Sequence, residues 1–207
     1  MPLDPITTEI LWSRLVSVAD EQAKALFRGS FSTAVGESED FASTVHDADG
    51  RMIVQSVSTG TISMLTGIVR SIQLLAQQFA GSLELGDAII CNDPWMFSGH
   101  KWDVTLASPV FQGEKLVAWT ATCLHAADIG GIGFSSASRD TYDEGLLIPP
   151  TKLMKAGRPN EELFSIIRGN VRMPAQVLGD FQAQVAANEV GVASDALRDQ
   201  LRMFDEI

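Results

Sequence analysis

Only three histidines occur in 207 residues, yet two of them open the same four-residue pattern, His-x-x-Asp: His100 with Asp103, and His125 with Asp128. A single unit of this kind is explained well by a strand-end histidine that hydrogen-bonds its neighbouring aspartate. Two units are harder to dismiss, because a tight turn joins the runs they belong to. Val104 to Phe111 and Lys115 to His125 both read as strands, with Gln112-Gly113-Glu114 between them. A turn centred on Gln112-Gly113 pairs position 125 with position 100 or 101. Opposed residues on antiparallel strands have Cβ atoms about 5 Å apart, from which two imidazoles reach one cation at about 2.0–2.2 Å. With a carboxylate beside them, the donor set suits Zn²⁺ or Mn²⁺, and a cation held there can activate water or polarise a carbonyl.

Other candidates are weaker. Ile129-Gly130-Gly131-Ile132-Gly133 could present backbone N–H groups to an anion, although glycine runs are more often simple turns. Glu37, Glu39 and Asp40 form an acidic run, usually a solvated loop; Asp40 gains a role only if the fold carries it to the histidines. His46 has no partner in sequence and is read as structural. Trp95 and Trp102 flank the first His-x-x-Asp and are candidates for a pocket wall, whereas Trp12 and Trp119 read as core. No phosphate loop ending in GK[ST], no GxGxxG after a strand, and no serine or cysteine nucleophile signature is present.

The elements that must position these residues follow from punctuation and period. Asp4-Pro5 caps a helix over about 5–28, with Leu11, Leu15, Val18, Gln22 and Leu26 at helical spacing. Phe41 to Asp47 and Arg51 to Val57 form a hairpin around Asp47-Ala48-Asp49-Gly50. A second helix covers about 63–80, and Ala88 to Cys91 is a short buried strand broken by Asn92-Asp93-Pro94. The stretch Ala126 to Ser138 is a Gly/Ser-rich loop. Helical character returns over 161–168 and 175–190, and Ser194 caps a last helix carrying Leu197, Leu201 and Phe204. Strand runs joined by tight turns predict an α+β fold of antiparallel β-hairpins, with helices packed to one side of them.

Composition narrows the function. At 207 residues one domain is expected, and 45% hydrophobic with 20% charged residues supplies a real core. Asp+Glu 26 against Lys+Arg 15 leaves a net charge of -11, which repels phosphate backbones and anionic lipid, so nucleic acid and membrane surfaces are not expected partners. The longest uncharged stretch, Met52 to Val69, contains nine Gln, Ser, Thr or Gly residues and is too polar for a bilayer. Asp4 and Glu9 stand where an export signal would be basic and then apolar. Cys91 and Cys123 lie in apolar strand-like runs without CxxC spacing and read as reduced core thiols, so a cytoplasmic protein is expected.

Longer motifs carry a resemblance. Gly86-Asp87, then NDPWMFSGHKWD (Asn92 to Asp103), HAADIGG (His125 to Gly131), EGLLIPP (Glu144 to Pro150) and NVRMP (Asn170 to Pro174) follow in order. Glu39-Asp40-Phe41, the D-x-x-G-R turn at Asp47 to Arg51, and D-x-x-A-Q-x-A-A from Asp180 extend the series. Together they resemble the hydantoinase B/oxoprolinase family: B subunits of ATP-dependent hydantoinases and lactamases, the matching half of 5-oxoprolinase, and subunits of acetone and acetophenone carboxylases. The resemblance implies metal ligands Asp40, His100, Asp103 and His125. Asp128 then stands behind them or faces the substrate, as a general base. It further implies a partner, the hydantoinase A-like subunit, that binds ATP in a hetero-oligomer, and a small-molecule substrate. The activity implied is hydrolysis of a cyclic amide (hydantoin, 5-oxoproline or lactam); the alternative is an ATP-dependent ketone carboxylase. Members are longer than 207 residues, so residues 1–207 are expected to be one N-terminal portion, with a C-terminal helix from about 194. Members usually show a glycine pair and Thr before the first histidine and Leu-Pro after it. Phe97-Ser98-Gly99 and Lys101-Trp102 stand there instead, a difference that bears on specificity.

Overall fold

The computed structural model describes residues 4–58, 61–97, 99–194 and 197. Its elements run α1 (Pro5–Gly29), α2 (Thr33–Gly36), β1 (Phe41–Asp47), β2 (Met52–Gln55), α3 (Ile62–Gln78), β3 (Ala88–Cys91), β4 (Asp103–Gln112), β5 (Lys115–His125), β6 (Thr151–Lys155), β7 (Arg158–Pro159), α4 (Glu161–Asn170) and α5 (Pro174–Val192). The strands form one seven-stranded sheet of order β2-β1-β5-β4-β3-β6-β7. Every neighbouring pair is antiparallel. The class is α+β, as the tight turns predict.

Local sequence explains the ends. The Asp4 carboxylate accepts the Ile6 and Thr7 N–H groups at 3.0 and 3.1 Å, capping α1 with Pro5 in its first turn. In the β1–β2 turn Gly50 has φ +83°, and a Cβ there would meet the Gln73 backbone nitrogen of α3 at 2.6 Å. Glycine is therefore required twice over, by conformation and by the approach of the helix.

Helices cover both faces of the sheet, not one side as the strand pattern suggests. Successive strand residues go to opposite cores: Phe41, Ile90, Leu106 and Leu124 pack with Leu26 of α1 and Phe181 of α5, whereas Ala42, Ile89, Ala107 and Cys123 pack with Ile68, Ile72 and Leu75 of α3. Alanine occupies much of the α3 side, so the period-2 signal there is faint although the burial is complete. Fully burying each large α3 side chain contributes about 1.5–3 kcal/mol.

Three elements escape the sequence reading. α2 is a single turn, β7 has two residues, and β6 begins and ends on Thr or Lys, with pairing to β3 holding it in the sheet. The Ser194 hydroxyl accepts the Leu197 N–H at 3.3 Å; the rest of the expected C-terminal helix lies outside the described residues.

Candidate metal centre

Asp103 is the first residue of β4 and His125 the last of β5, and the two are directly opposed. β1 lies on the other side of β5, and the His125 N–H donates to the Asp40 carbonyl at 3.0 Å just before β1 begins. Three adjacent strands thus deliver Asp40, His125 and Asp103 to one end of the sheet. The expected pairing of 125 with 100 or 101 is corrected by two to three residues. Gln112 pairs with Lys115, which makes Gly113-Glu114 the turn, and the register shifts between Val110 and Phe111. His100 arrives instead from the turn before β4, where Gly99 takes φ +87°.

Buried Asn92 ties this turn down. Its side-chain NH₂ donates to the Lys101 and Leu146 carbonyls at 2.8 and 3.0 Å, and its oxygen accepts the Ile148 N–H at 2.6 Å. A buried amide with donors and acceptor all engaged pins the chain on either side of it. Asn92 thereby sets the chain that presents His100, a role its reading as a strand breaker misses.

The ligand-type atoms of His100, Asp103 and His125 all lie within 4.8 Å of one another. His125 Nδ1 is 3.1 Å from Asp103 Oδ1 and 3.9 Å from Asp40 Oδ2, and His100 Nε2 is 3.6 Å from Asp103 Oδ2. Donors at about 2.0–2.2 Å from one cation stand about 3–4 Å apart, so His100, Asp103 and His125 fit a shared ion with small side-chain adjustments, while Asp40 stands outside that group, 3.9 Å from His125. Two imidazoles and two carboxylates are also the donor chemistry that Zn²⁺ and Mn²⁺ accept. The imidazole rings of His100 and His125 are 5.7 Å apart between centroids, inside the span that a common ligand requires.

The surroundings hold the donors in place. Trp102 stacks on His125 with a 15° interplanar angle, and Phe134 stands edge-on to it at 4.9 Å. Thr61 donates its hydroxyl to Asp40 Oδ1 at 2.5 Å, leaving Oδ2 toward His125. The cluster opens on a cavity of about 400 Å³ whose wall includes Ser38, Thr61, Met64 and Phe134. Sequence reasoning misses Thr61 and Phe134, since a threonine before a helix and a phenylalanine in a glycine loop carry no metal signature. Glu39, with φ +52°, is a signal visible only in the backbone: a strained residue one position before Asp40.

Asp128 is not brought to this cavity. Its carboxylate accepts the N–H groups of Gly130, Arg172 and Met173 and pairs with the Arg172 guanidinium at 3.0 Å. Burial pushes its pKa upward, but these N–H bonds and the Arg172 charge outweigh it and hold the carboxyl below the usual range. The Gly130 and Gly131 carbonyls accept from Arg172, so the glycine run faces a cation with its oxygens. His46 is wholly buried between the Thr44 hydroxyl and the Gly50 carbonyl, a structural histidine. Cys91 and Cys123 are buried free thiols; burial pushes the Cys91 thiol up to about 12 and that of Cys123 well above its ordinary value, which keeps both uncharged. Trp119 is core and Trp102 walls the site, as expected, but Trp12 is half exposed on α1.

Comparisons with known proteins bear on the family and the fold. Among curated relatives, the putative B component of a D-/L-hydantoinase from Pseudomonas sp. (strain NS671) is 31% identical across 91% of this chain and 33% of its own length. The crystal structure of ATP-dependent caprolactamase from Pseudomonas jessenii superposes with a TM-score of 0.83 at 29% identity, over 100% of this chain and 35% of that one. The nucleotide-free structure of acetone carboxylase superposes at 0.86 with 18% identity, over 97% of this chain and 26% of that one, and shows the same fold. This chain therefore spans about a third of the length of the curated relatives it matches first. The hydantoinase B/oxoprolinase profile matches residues 4–197, and the chain belongs to that family.

Proposed function

We propose that this chain is the metal-bearing part of an ATP-dependent cyclic-amide hydrolase that opens a hydantoin, 5-oxoproline or lactam ring. The observation that carries the reading is the convergence of Asp40, His100, Asp103 and His125 on one cavity, in a chain similar to a hydantoinase component and to a caprolactamase. These four side chains would hold the cation, Zn²⁺ or Mn²⁺, whose contribution when bound is a Lewis acid beside the amide carbonyl. Everything else is done by the protein. Thr61 orients the Asp40 carboxylate, Asp103 lies between the two histidines, and Trp102 and Phe134 narrow the approach to His125 and restrict water there. We assign Asp128 to positioning: with both carboxylate oxygens accepting N–H groups, it holds the loop after His125 against α5.

Without a phosphate-binding motif of its own, the chain would depend on a hydantoinase A-like partner for ATP, in a hetero-oligomer. Two buried, unbridged thiols suit a cytoplasmic setting. The test is to combine the full-length protein with such a partner, ATP and a panel of cyclic amides. Ring-opened acid and ADP in equal amounts are expected, together with bound Zn or Mn by elemental analysis. ATP consumption that requires bicarbonate and a ketone, and none with cyclic amides, would replace this reading with the carboxylase.

A further inference from the structure

His100 and Lys101 are neighbours in sequence, yet they line different cavities. His100 faces the metal cluster, whereas Lys101 lines a second hollow of about 490 Å³ between the turn at 93–101 and the loop at 129–147. Lys101 is only 3% exposed. Its Nζ donates to the Gly145 carbonyl at 3.0 Å and lies 5.5 Å from the centre of the Tyr142 ring, and among the described residues no carboxylate pairs with it. The contrast is Lys152, whose ammonium lies 2.7 Å from the buried Asp87. An ammonium carries three N–H donors, and a buried cation is costly unless its charge is matched. One carbonyl and one ring face leave two donors of the ammonium without a partner, while the Glu144 carboxylate takes the Lys101 backbone N–H at 2.8 Å.

We infer that this second cavity binds a small organic carboxylate, with its head group on Lys101. Thr141 lines the same wall, and its hydroxyl, without a protein partner among the described residues, is available as a second donor. Trp95 and Tyr142, both almost fully exposed, flank the opening and offer aromatic faces to the body of the ligand. A single cation, with the Asp93 carboxylate on the same wall, suits a monoanion and repels the second charge of a phosphate. The inference is independent of the metal centre, since no residue of the cluster lines this cavity.

The test titrates 4-fluorobenzoate into the full-length chain and follows its fluorine resonance. The parent should show saturable broadening that equal inorganic phosphate does not displace. Lys101→Met should weaken binding at least about tenfold, the usual scale for losing a hydrogen bond to a charged group. Lys101→Arg should stay within about threefold of the parent and Thr141→Val should weaken binding several-fold, each by the donors kept or lost. His125→Ala should bind as the parent does, which separates this site from the cluster. Unchanged affinity in Lys101→Met overturns the inference, as does loss of binding in His125→Ala, displacement by phosphate, or the absence of saturable binding. If Lys101→Met does not fold by circular dichroism, Thr141→Val decides: parent-like affinity there overturns the inference equally.

Discussion

The three histidines of this chain show how burial divides imidazoles between chemistry and structure. His100 and His125 keep part of their rings accessible beside a cavity, with side-chain exposures of 34% and 17%. Replacing either by Ala should strip the bound metal, read by elemental analysis, while the far-ultraviolet spectrum stays that of the parent. Thr61→Val, which frees Asp40 to turn, should weaken metal binding by about 10–100-fold. Parent-level metal in both histidine variants would remove the centre. His46 is the opposite case. Burial lowers its pKa to about 4, against the opposing pull of the Gly50 carbonyl and Asp47. Because the folded pKa lies below the unfolded value of 6.5, the unfolded chain binds the extra proton. Stability from this residue is complete above about pH 6.5 and is lost as the pH falls toward 4, amounting to about 3 kcal/mol in all and about 2 kcal/mol by pH 5. Urea unfolding at pH 7 and pH 5 measures that difference, and His46→Gln should lack most of it.

At the level of elements, the site depends on how segments are tied together more than on any one strand. Asp128 joins the loop after β5 to the start of α5 through the N–H groups of Gly130, Arg172 and Met173. Asp128→Asn sets an NH₂ group against donors that need an acceptor, and should cost about 1–3 kcal/mol in unfolding free energy. Metal content should be unchanged, since Asp128 does not line the cluster cavity. A variant with parent stability and metal but no turnover would instead place Asp128 among the reacting groups. The β4–β5 hairpin teaches a related lesson. Moving its turn by one residue and adding an irregularity at Val110/Phe111 puts Asp103, not position 100 or 101, opposite His125. Both histidines still meet, because Gly99 and Asn92 turn the preceding segment back over the strand ends.

Across the whole molecule, one sheet is buried from both sides, and the two cores are separated by its thickness. Ile72 of α3 belongs to one core and Phe181 of α5 to the other, and both are fully buried. Ile72→Ala should destabilise by about 2–5 kcal/mol and Phe181→Ala by about 3–5 kcal/mol. Sharing no partners, the two changes should add to within about 0.5 kcal/mol in the double variant, measured by denaturant unfolding. A larger shortfall or excess would mean that strain passes through the sheet. Among the described residues no helix is long and apolar enough to cross a membrane.

The amino-acid sequence by itself determined the helices of α1, α3, α4 and α5, the β1–β2 and β4–β5 hairpins, and the α+β class, because caps, turns and apolar periods are local signals that survive in the fold. It also brought forward the members of the histidine–aspartate cluster: His100 and His125 from the repeated motif, and Asp103 and Asp40 from family resemblance. Tertiary structure alone decided the rest. Hairpin register depends on a bulge that no residue type announces, and coverage of the sheet by helices on both faces is hidden where alanines dilute the pattern. Thr61, Phe134 and Asn92 act through side chains that meet partners distant in sequence. The separation of Asp128 from the cluster was equally undetermined, since His-x-x-Asp places two residues three apart along the chain and says nothing of which way each carboxylate turns.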